Sequence, residues 1–378
     1  MAEMTSRERL MTAYRNGQPD RVPIRIWGVQ PDTKPPHPSY QPICDLSERT
    51  DLVGDWGPKN AGTFGTASEE VTVDHAERPS EIEDHKEVIT IVKTPAGEMR
   101  SVFYQPLTPG VPGYQKEYLI SSIEDAKKYL SIPYVPPRID CSGFPDADAA
   151  MGDRGVVMCP LGPEPMYHIN ALIGSELFAL WTVEERELVR ELIETTYVRT
   201  RDFLKQQLAA GVGPLFGYVG PELCIPPLQS PQDFREFVVA YDRRLIDLIH
   251  DAGGVCWVHC HGKMGPVLEI FVEMGCDALN PIEPPPMGDV TLAQAKARVG
   301  DKMALEGNIQ QGDLYRVRPE RIEELVRTAI REAGPGGGFV LCPTSSPWQS
   351  ASVDQVVINN YRALVEAGLR YGRYPIEA

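Results

Sequence analysis

Four things are missing from this chain, and each closes off a class of protein. No stretch approaches the roughly 18 consecutive apolar residues of a membrane span. Positive charge is outweighed: the net charge is −16 at pH 7, which disfavours nucleic acid and anionic membrane surfaces as partners. The eight cysteines form no Cys-x-x-Cys pair and no dense framework, so reduced thiols in a reducing compartment are expected. No G-x-G-x-x-G follows any strand-like run, which argues against a dinucleotide-binding doubly wound sheet. The first residues, Met1 to Arg9, carry no apolar signal region, and a cytoplasmic location is the expectation. Internal repeats and low-complexity tails are absent as well.

What is present is an alternation of short apolar runs and amphipathic stretches. Thr5-Ser6-Arg7-Glu8 reads as a capping box that opens a helix ending near Asn16-Gly17. Residues 21–28 read as a first buried strand, and 87–93 with 98–104 as a hairpin turning at Thr94-Pro95-Ala96-Gly97. Residues 29–85, rich in Pro, Asp and Gly, read as an irregular excursion over a barrel mouth, with a substrate lid as its suggested role. From residue 153 onward, strand-like runs at 156–160, 214–219, 255–261, 278–283, 303–309 and 338–343 alternate with helical stretches at 183–210, 231–252, 264–274, 292–299, 319–333 and 353–371. Such alternation implies parallel strands joined by right-handed crossovers. The length, 378 residues, suits one (β/α)₈ TIM barrel spanning 1–378, an α/β fold with an N-terminal excursion and a hairpin.

The stretch Val255-Cys256-Trp257-Val258-His259-Cys260-His261-Gly262-Lys263 ends an apolar run in His-x-His. Along a strand, residues two apart share a face, so both imidazoles point one way. Neutral imidazole is the commonest metal ligand. A barrel gathers its functional residues at the C-terminal ends of its strands. Those ends carry Tyr218 and Glu222, His259 and His261, Glu283, Glu306 and Asn308, then Ser345 and Ser346. His259 and His261 together with carboxylates converging on the same mouth therefore make an expected metal site. Glu222 and Glu283 are the candidate catalytic carboxylates, and Tyr167, Tyr218 and Trp348 the candidate substrate contacts. Glu306 reads either as a carboxylate that orients a histidine or as a strand-end charge.

At these residues the chain resembles the uroporphyrinogen decarboxylase superfamily over nearly its whole length. The resemblance rests on Thr5-Ser-Arg-Glu-Arg-Leu with Pro19-Asp-Arg-Val-Pro23, on Ser230-Pro-Gln-Asp-Phe-Arg-Glu-Phe237, on Leu305-Glu-Gly-Asn-Ile309 and on Gly336-Gly-Gly-Phe-Val-Leu341. It implies a TIM barrel with its site at the top. The arginine-rich Arg-Gln-Ala-Gly-Arg segment of the true decarboxylases is replaced here by Arg25-Ile-Trp-Gly-Val-Gln, with one arginine. The corrinoid-linked zinc methyltransferases of the superfamily carry His-x-Cys-Gly, a glutamate on the next strand and a later cysteine. His259 falls on the histidine, His261 on the first cysteine, Glu283 near the glutamate, and Ser345 where the second cysteine stands, with Cys342 three residues earlier.

The resemblance thus implies His259, His261 and Glu283 as the metal ligands, with zinc or another divalent transition metal as the cofactor, and losing both thiolates leaves a more positive, more Lewis-acidic ion that prefers oxygen. The expectation is a demethylating methyltransferase that moves a methyl group from an O-methyl donor to a corrinoid on a separate protein. A homodimer stays open. The alternatives are a metal-assisted hydrolase, or a lyase or decarboxylase on a small carboxylated substrate, and, without chemistry, a metal-stabilised binding or regulatory protein.

Overall fold

The computed structural model describes residues 3–108 and 111–376. Seven parallel strands form one curled sheet in the order β1 (Leu52–Asp55), β6 (Gly155–Pro160), β7 (Leu215–Val219), β8 (Val255–His259), β9 (Ala278–Asn280), β10 (Ala304–Ile309) and β11 (Phe339–Pro343). The segment 22–26 closes the ring. Arg25 N–H donates to Leu341 O at 2.9 Å, Leu341 N–H to Pro23 O at 2.9 Å, and on the other side Asp51 N–H donates to Ile24 O at 2.7 Å. Pro23 has no N–H to add to a ladder, so this eighth strand is held by a few bonds on each side and forms only a single bridge, Ile24 to Leu341. The result is the expected (β/α)₈ barrel.

Strand alternation sorts the core into two bodies. Val53, Val156, Met158, Leu215, Val255, Trp257, Ala278, Ala304 and Val340 fill the lumen. Their neighbours in sequence, such as Phe216, Cys256, Val258 and Leu279, pack outward under the helices. The first helix, Ser6–Tyr14, has the expected capping box of Thr5 and Glu8, and its Leu10, Met11, Ala13 and Tyr14 plug the lumen from the N-terminal end. The outer helices follow the sequence pattern closely: Arg186–Ala209, Leu292–Val299, Pro319–Ala333 and Gln355–Tyr371. No helix of the described residues is long and apolar enough to cross a membrane.

The expected hairpin is present as β3 (His85–Thr94) and β4 (Gly97–Pro106), extended by β2 (Thr72–Pro79) and β5 (Tyr114–Glu117) into a four-stranded antiparallel sheet. The reading of 29–85 as an irregular excursion is corrected. That segment contains a helix (Gln41–Leu46), the barrel strand β1 and the strand β2. β1 has only three buried residues, Leu52-Val53-Gly54, too short a run to stand out among the surrounding polar residues.

Candidate metal and catalytic site at the barrel mouth

Beneath the mouth lies a buried polar network centred on Glu306. Its Oε1 accepts from Arg25 Nη1 at 2.9 Å and from Asn280 Nδ2 at 3.1 Å. Its Oε2 accepts from Tyr14 OH at 2.8 Å and Trp257 Nε1 at 3.0 Å. Arg25, Asn280 and Glu306 are fully or almost fully buried. Charge is balanced here by the Arg25–Glu306 ion pair, with the guanidinium also 5.2 Å from the Trp257 ring centroid.

The network fixes the chemistry of His259. Because Asn280 gives its amide N–H to Glu306, its Oδ1 is the atom that faces His259 Nδ1, at 2.6 Å. A carbonyl oxygen only accepts, so Nδ1 carries the proton and Nε2 keeps a lone pair. His259 is 4% exposed. Burial pushes its pKa down to about 3, helped by the neighbouring His261. It is a neutral imidazole with one free donor atom. The Glu306 carboxylate thus orients His259 as expected, but through Asn280 rather than by touching the ring.

His261 stands above it, the two rings perpendicular with centroids 4.4 Å apart. His261 Nδ1 lies 3.2 Å from Glu283 Oε2, which also accepts from Gly262 N–H at 2.9 Å. Burial would raise the Glu283 pKa, but the contacts with His261 and the Gly262 amide outweigh it and hold the carboxylate below its usual range. Glu222 sits on the turn Pro221–Cys224 after β7, within electrostatic reach of His261 and Glu283. Its Oε2 is buried without a partner, and burial raises its pKa, favouring the protonated acid.

The donor set is chemically suited to a divalent transition ion. Two donors about 2.1 Å from one tetrahedral ion stand roughly 3.4 Å apart, close to the 3.2 Å between His261 Nδ1 and Glu283 Oε2. His259 adds an imidazole lone pair nearby. Among the described residues no group of three or more His, Cys, Asp and Glu side chains is already drawn together around one point, so binding requires the His261–Glu283 pair to adjust toward the fixed His259. The cysteines stand apart from this set. Cys260 alternates outward into the helix-facing core, and Cys342 faces the lumen beside Glu306 and Arg25 with its thiol pushed far up by burial. Ser345 is half-buried in the following loop and accepts from Gln349 Nε2 at 3.2 Å.

The aromatic candidates separate. Tyr167 packs its ring on Gly220, two residues before Glu222, where any Cβ would lie 2.3 Å from Tyr167 Cγ. Trp348 rests against Gly28 and edge-on to Tyr40, with centroids 5.0 Å apart. Both stand at the strand ends. Tyr218 does not reach the mouth, and its assignment as a substrate contact is corrected. It pairs in register with Val258, an outward residue, and its hydroxyl donates to buried Asp242 Oδ2 at 2.7 Å. Two residues were missed. Trp27 packs against His259 with ring centroids 4.3 Å apart, and Asn280 is the pivot just described. Both follow an apolar run at a strand end, the signal that found the histidines, but tryptophan and asparagine read as ordinary packing and turn residues.

Comparison with known proteins agrees with this architecture. The family model for uroporphyrinogen decarboxylase (URO-D) matches residues 166–367. Uroporphyrinogen decarboxylase of Thioalkalivibrio sulfidiphilus is 32% identical over 150 residues, 36% of this chain and 37% of that protein. The enzyme of Photorhabdus laumondii is 38% identical over 113 residues, 29% of this chain and 30% of that protein. The similarity therefore spans well under half the length of these curated relatives. A methyltransferase from Methanosarcina mazei shares the fold across 98% of this chain and 99% of its own, with a TM-score of 0.58 and 14% identity.

Proposed function

The chain belongs to the uroporphyrinogen decarboxylase family, and from that premise we propose that it is a metal-dependent methyltransferase. It takes a methyl group from the oxygen of a small methoxy donor and passes it to a corrinoid carried by a separate protein. The observation that carries this reading is the locked orientation of His259, whose Nε2 lone pair is held free beside the His261–Glu283 pair. Decarboxylation of a polycarboxylated porphyrin is disfavoured by Arg25. It is the one arginine within the segment that stands where true decarboxylases bind carboxylates, and here it is buried in its pair with Glu306.

His259, His261 and Glu283 would hold a divalent transition metal, zinc foremost. When bound, that ion supplies Lewis acidity toward the oxygen from which the methyl departs. Glu222, whose pKa is raised by burial, gives its proton to that oxygen as the C–O bond breaks. The electron pair for the new carbon–cobalt bond comes from the reduced corrinoid, so an ether leaves as an alcohol or phenol. Trp27, Tyr167 and Trp348 wall the mouth against a flat, apolar donor.

The test is metal analysis of the purified wild type beside His259→Ala and His261→Ala, followed by assay of methylcobamide formation from methoxy compounds. About one equivalent of metal, lost in both variants, together with methylation of the corrinoid, is the expected result. No metal after reconstitution would leave the two imidazoles as acid, base or hydrogen-bond donors. Turnover without any corrinoid would point instead to metal-assisted hydrolysis or lyase chemistry.

A further inference from the structure

A cavity of about 360 Å³ lies past the end of β6, between the loop 61–65 and the helix Arg186–Ala209. Phe64, Pro163 and Phe203 give it apolar walls, and Gly65 and Gly162 keep it open. A Cβ on Gly162 would lie 2.9 Å from Thr200 Cγ2 and 3.2 Å from Phe203. The polar groups that line it include Thr196, His168 and Arg199.

Arg199 is the unusual member. It is 4% exposed, yet its hydrogen bonds go to two main-chain carbonyls, Phe64 O at 2.9 Å and Ile132 O at 3.3 Å, and none to a carboxylate. Its Nε is buried with no partner. The acid one turn along the helix, Asp202, is engaged by Tyr134 and Arg201. A guanidinium offers five N–H donors, so most of its capacity is unused. Burying a cation without an anion is costly, and a buried charge is ordinarily paired. An ion pair elsewhere in the same barrel, Arg25 with Glu306, shows the usual solution. The Arg199 guanidinium also lies over the rings of Tyr129 and Tyr134, 5.6 and 6.0 Å from their centroids, so at Arg199 the protein supplies the cation, aromatic faces and apolar walls but no anion.

We propose that this cavity binds a small monocarboxylate with an apolar body, its carboxylate facing Arg199 and its hydrocarbon part lying between Phe64 and Phe203. A cavity of this volume falls at the lower end of the range for small-molecule pockets. His168 stays neutral, its pKa pushed down to about 4 by burial and by Arg199 itself. The cavity therefore holds one positive charge and suits a monoanion better than a dianion. The site is separate from the His259–His261 pair and does not depend on the reaction proposed there.

The test is calorimetric titration of the full chain with benzoate at pH 7.5, with benzamide as the uncharged counterpart. The expected result is saturable binding of one benzoate, with benzamide weaker by about tenfold or more. Arg199→Met should weaken benzoate by a similar factor. Ala61→Phe, which fills the cavity from its loop side without touching the guanidinium, should abolish binding while the circular dichroism spectrum and melting temperature stay unchanged. His261→Ala should leave the affinity as it is, which separates this cavity from the barrel mouth. If Arg199→Met fails to fold, the benzamide comparison and Ala61→Phe still decide. No saturable heat with benzoate, equal affinity for benzamide, or undiminished binding in Ala61→Phe would each overturn the proposal.

Discussion

Asn280 holds His259 in one tautomer. The 2.6 Å contact between Asn280 Oδ1 and His259 Nδ1 has a defined direction only because the other end of the amide donates to Glu306. Asn280→Ala removes that reference and leaves both His259 Nδ1 and one Glu306 lone pair unpartnered. Groups that orient a metal-bound histidine in this way are worth about 10–100-fold in metal affinity. The expected outcome is a loss of that size in zinc affinity by competition with a chelator, with destabilisation of about 1–3 kcal/mol from the unmet buried groups. Unchanged zinc affinity in a folded Asn280→Ala protein would mean that the contact does not orient a ligand.

Glu306 is the structural anchor of the same network, and the prediction for it concerns stability first. Glu306→Gln leaves Arg25 as a buried cation without its counter-ion, a change that typically costs about 3–5 kcal/mol. Arg25→Met combined with Glu306→Gln should recover much of that loss, because the uncompensated charge is gone. Urea denaturation of the two single variants and the double variant gives the coupling directly. Additive losses would show that the pair contributes little beyond its separate contacts.

The fold was more readable than the site, and the reason is the range of the interactions. Strand and helix periodicities are local, and most barrel elements lie within a few residues of where the pattern puts them. The failure among them is β1, a strand of three buried residues inside a polar segment, whereas the run read as a strand at 21–28 is the 22–26 segment that closes the ring, held by a few bonds around a proline. In the site, the parity of a strand was decisive. His259 and Val219 are level partners, so Tyr218 had to face outward. His-x-His was legible because two rare residues share one face. Asn280 was not, because its role depends on Glu306, 26 residues away, and the network reaches Tyr14, 292 residues from Glu306. No window on the sequence contains those partners together.

Behind β7, Tyr218 leads to a second buried acid system with a measurable pH signature. Asp242, which accepts the Tyr218 hydroxyl, has its pKa raised to about 7 by burial, and Glu164, buried close by, is pushed well above the usual carboxylate range by burial and by the Asp242 charge. An unfolded aspartate titrates near pH 3.9. Between about pH 4 and 7 the folded state therefore holds a proton that the unfolded chain has released, and stability falls as pH rises through that window. Above pH 7 the full penalty applies, on the order of 2–4 kcal/mol. Asp242→Asn cannot ionise and still offers an oxygen to Tyr218. Its stability relative to wild type should grow from pH 5 to pH 8 in urea titrations. Parallel pH curves for the two proteins would refute the assignment.

Glu222 distinguishes an acid from a metal ligand at the mouth. Its buried, unpartnered Oε2 and raised pKa suit a proton donor to the departing oxygen, whereas His259, His261 and Glu283 are assigned to the ion. Glu222→Gln keeps the shape and a hydrogen-bond donor but has no transferable proton. A general acid contributes about 10²–10⁴-fold to rate, so kcat for demethylation should fall by that factor while metal content stays near wild type. Stability should hold or rise slightly, because a buried carboxyl group is replaced by a neutral amide. Donors whose leaving oxygen is already a good leaving group, such as methoxyarenes with electron-withdrawing substituents, should be affected least, since they need the proton least. A uniform loss across donors, accompanied by loss of metal, would make Glu222 a ligand rather than the acid.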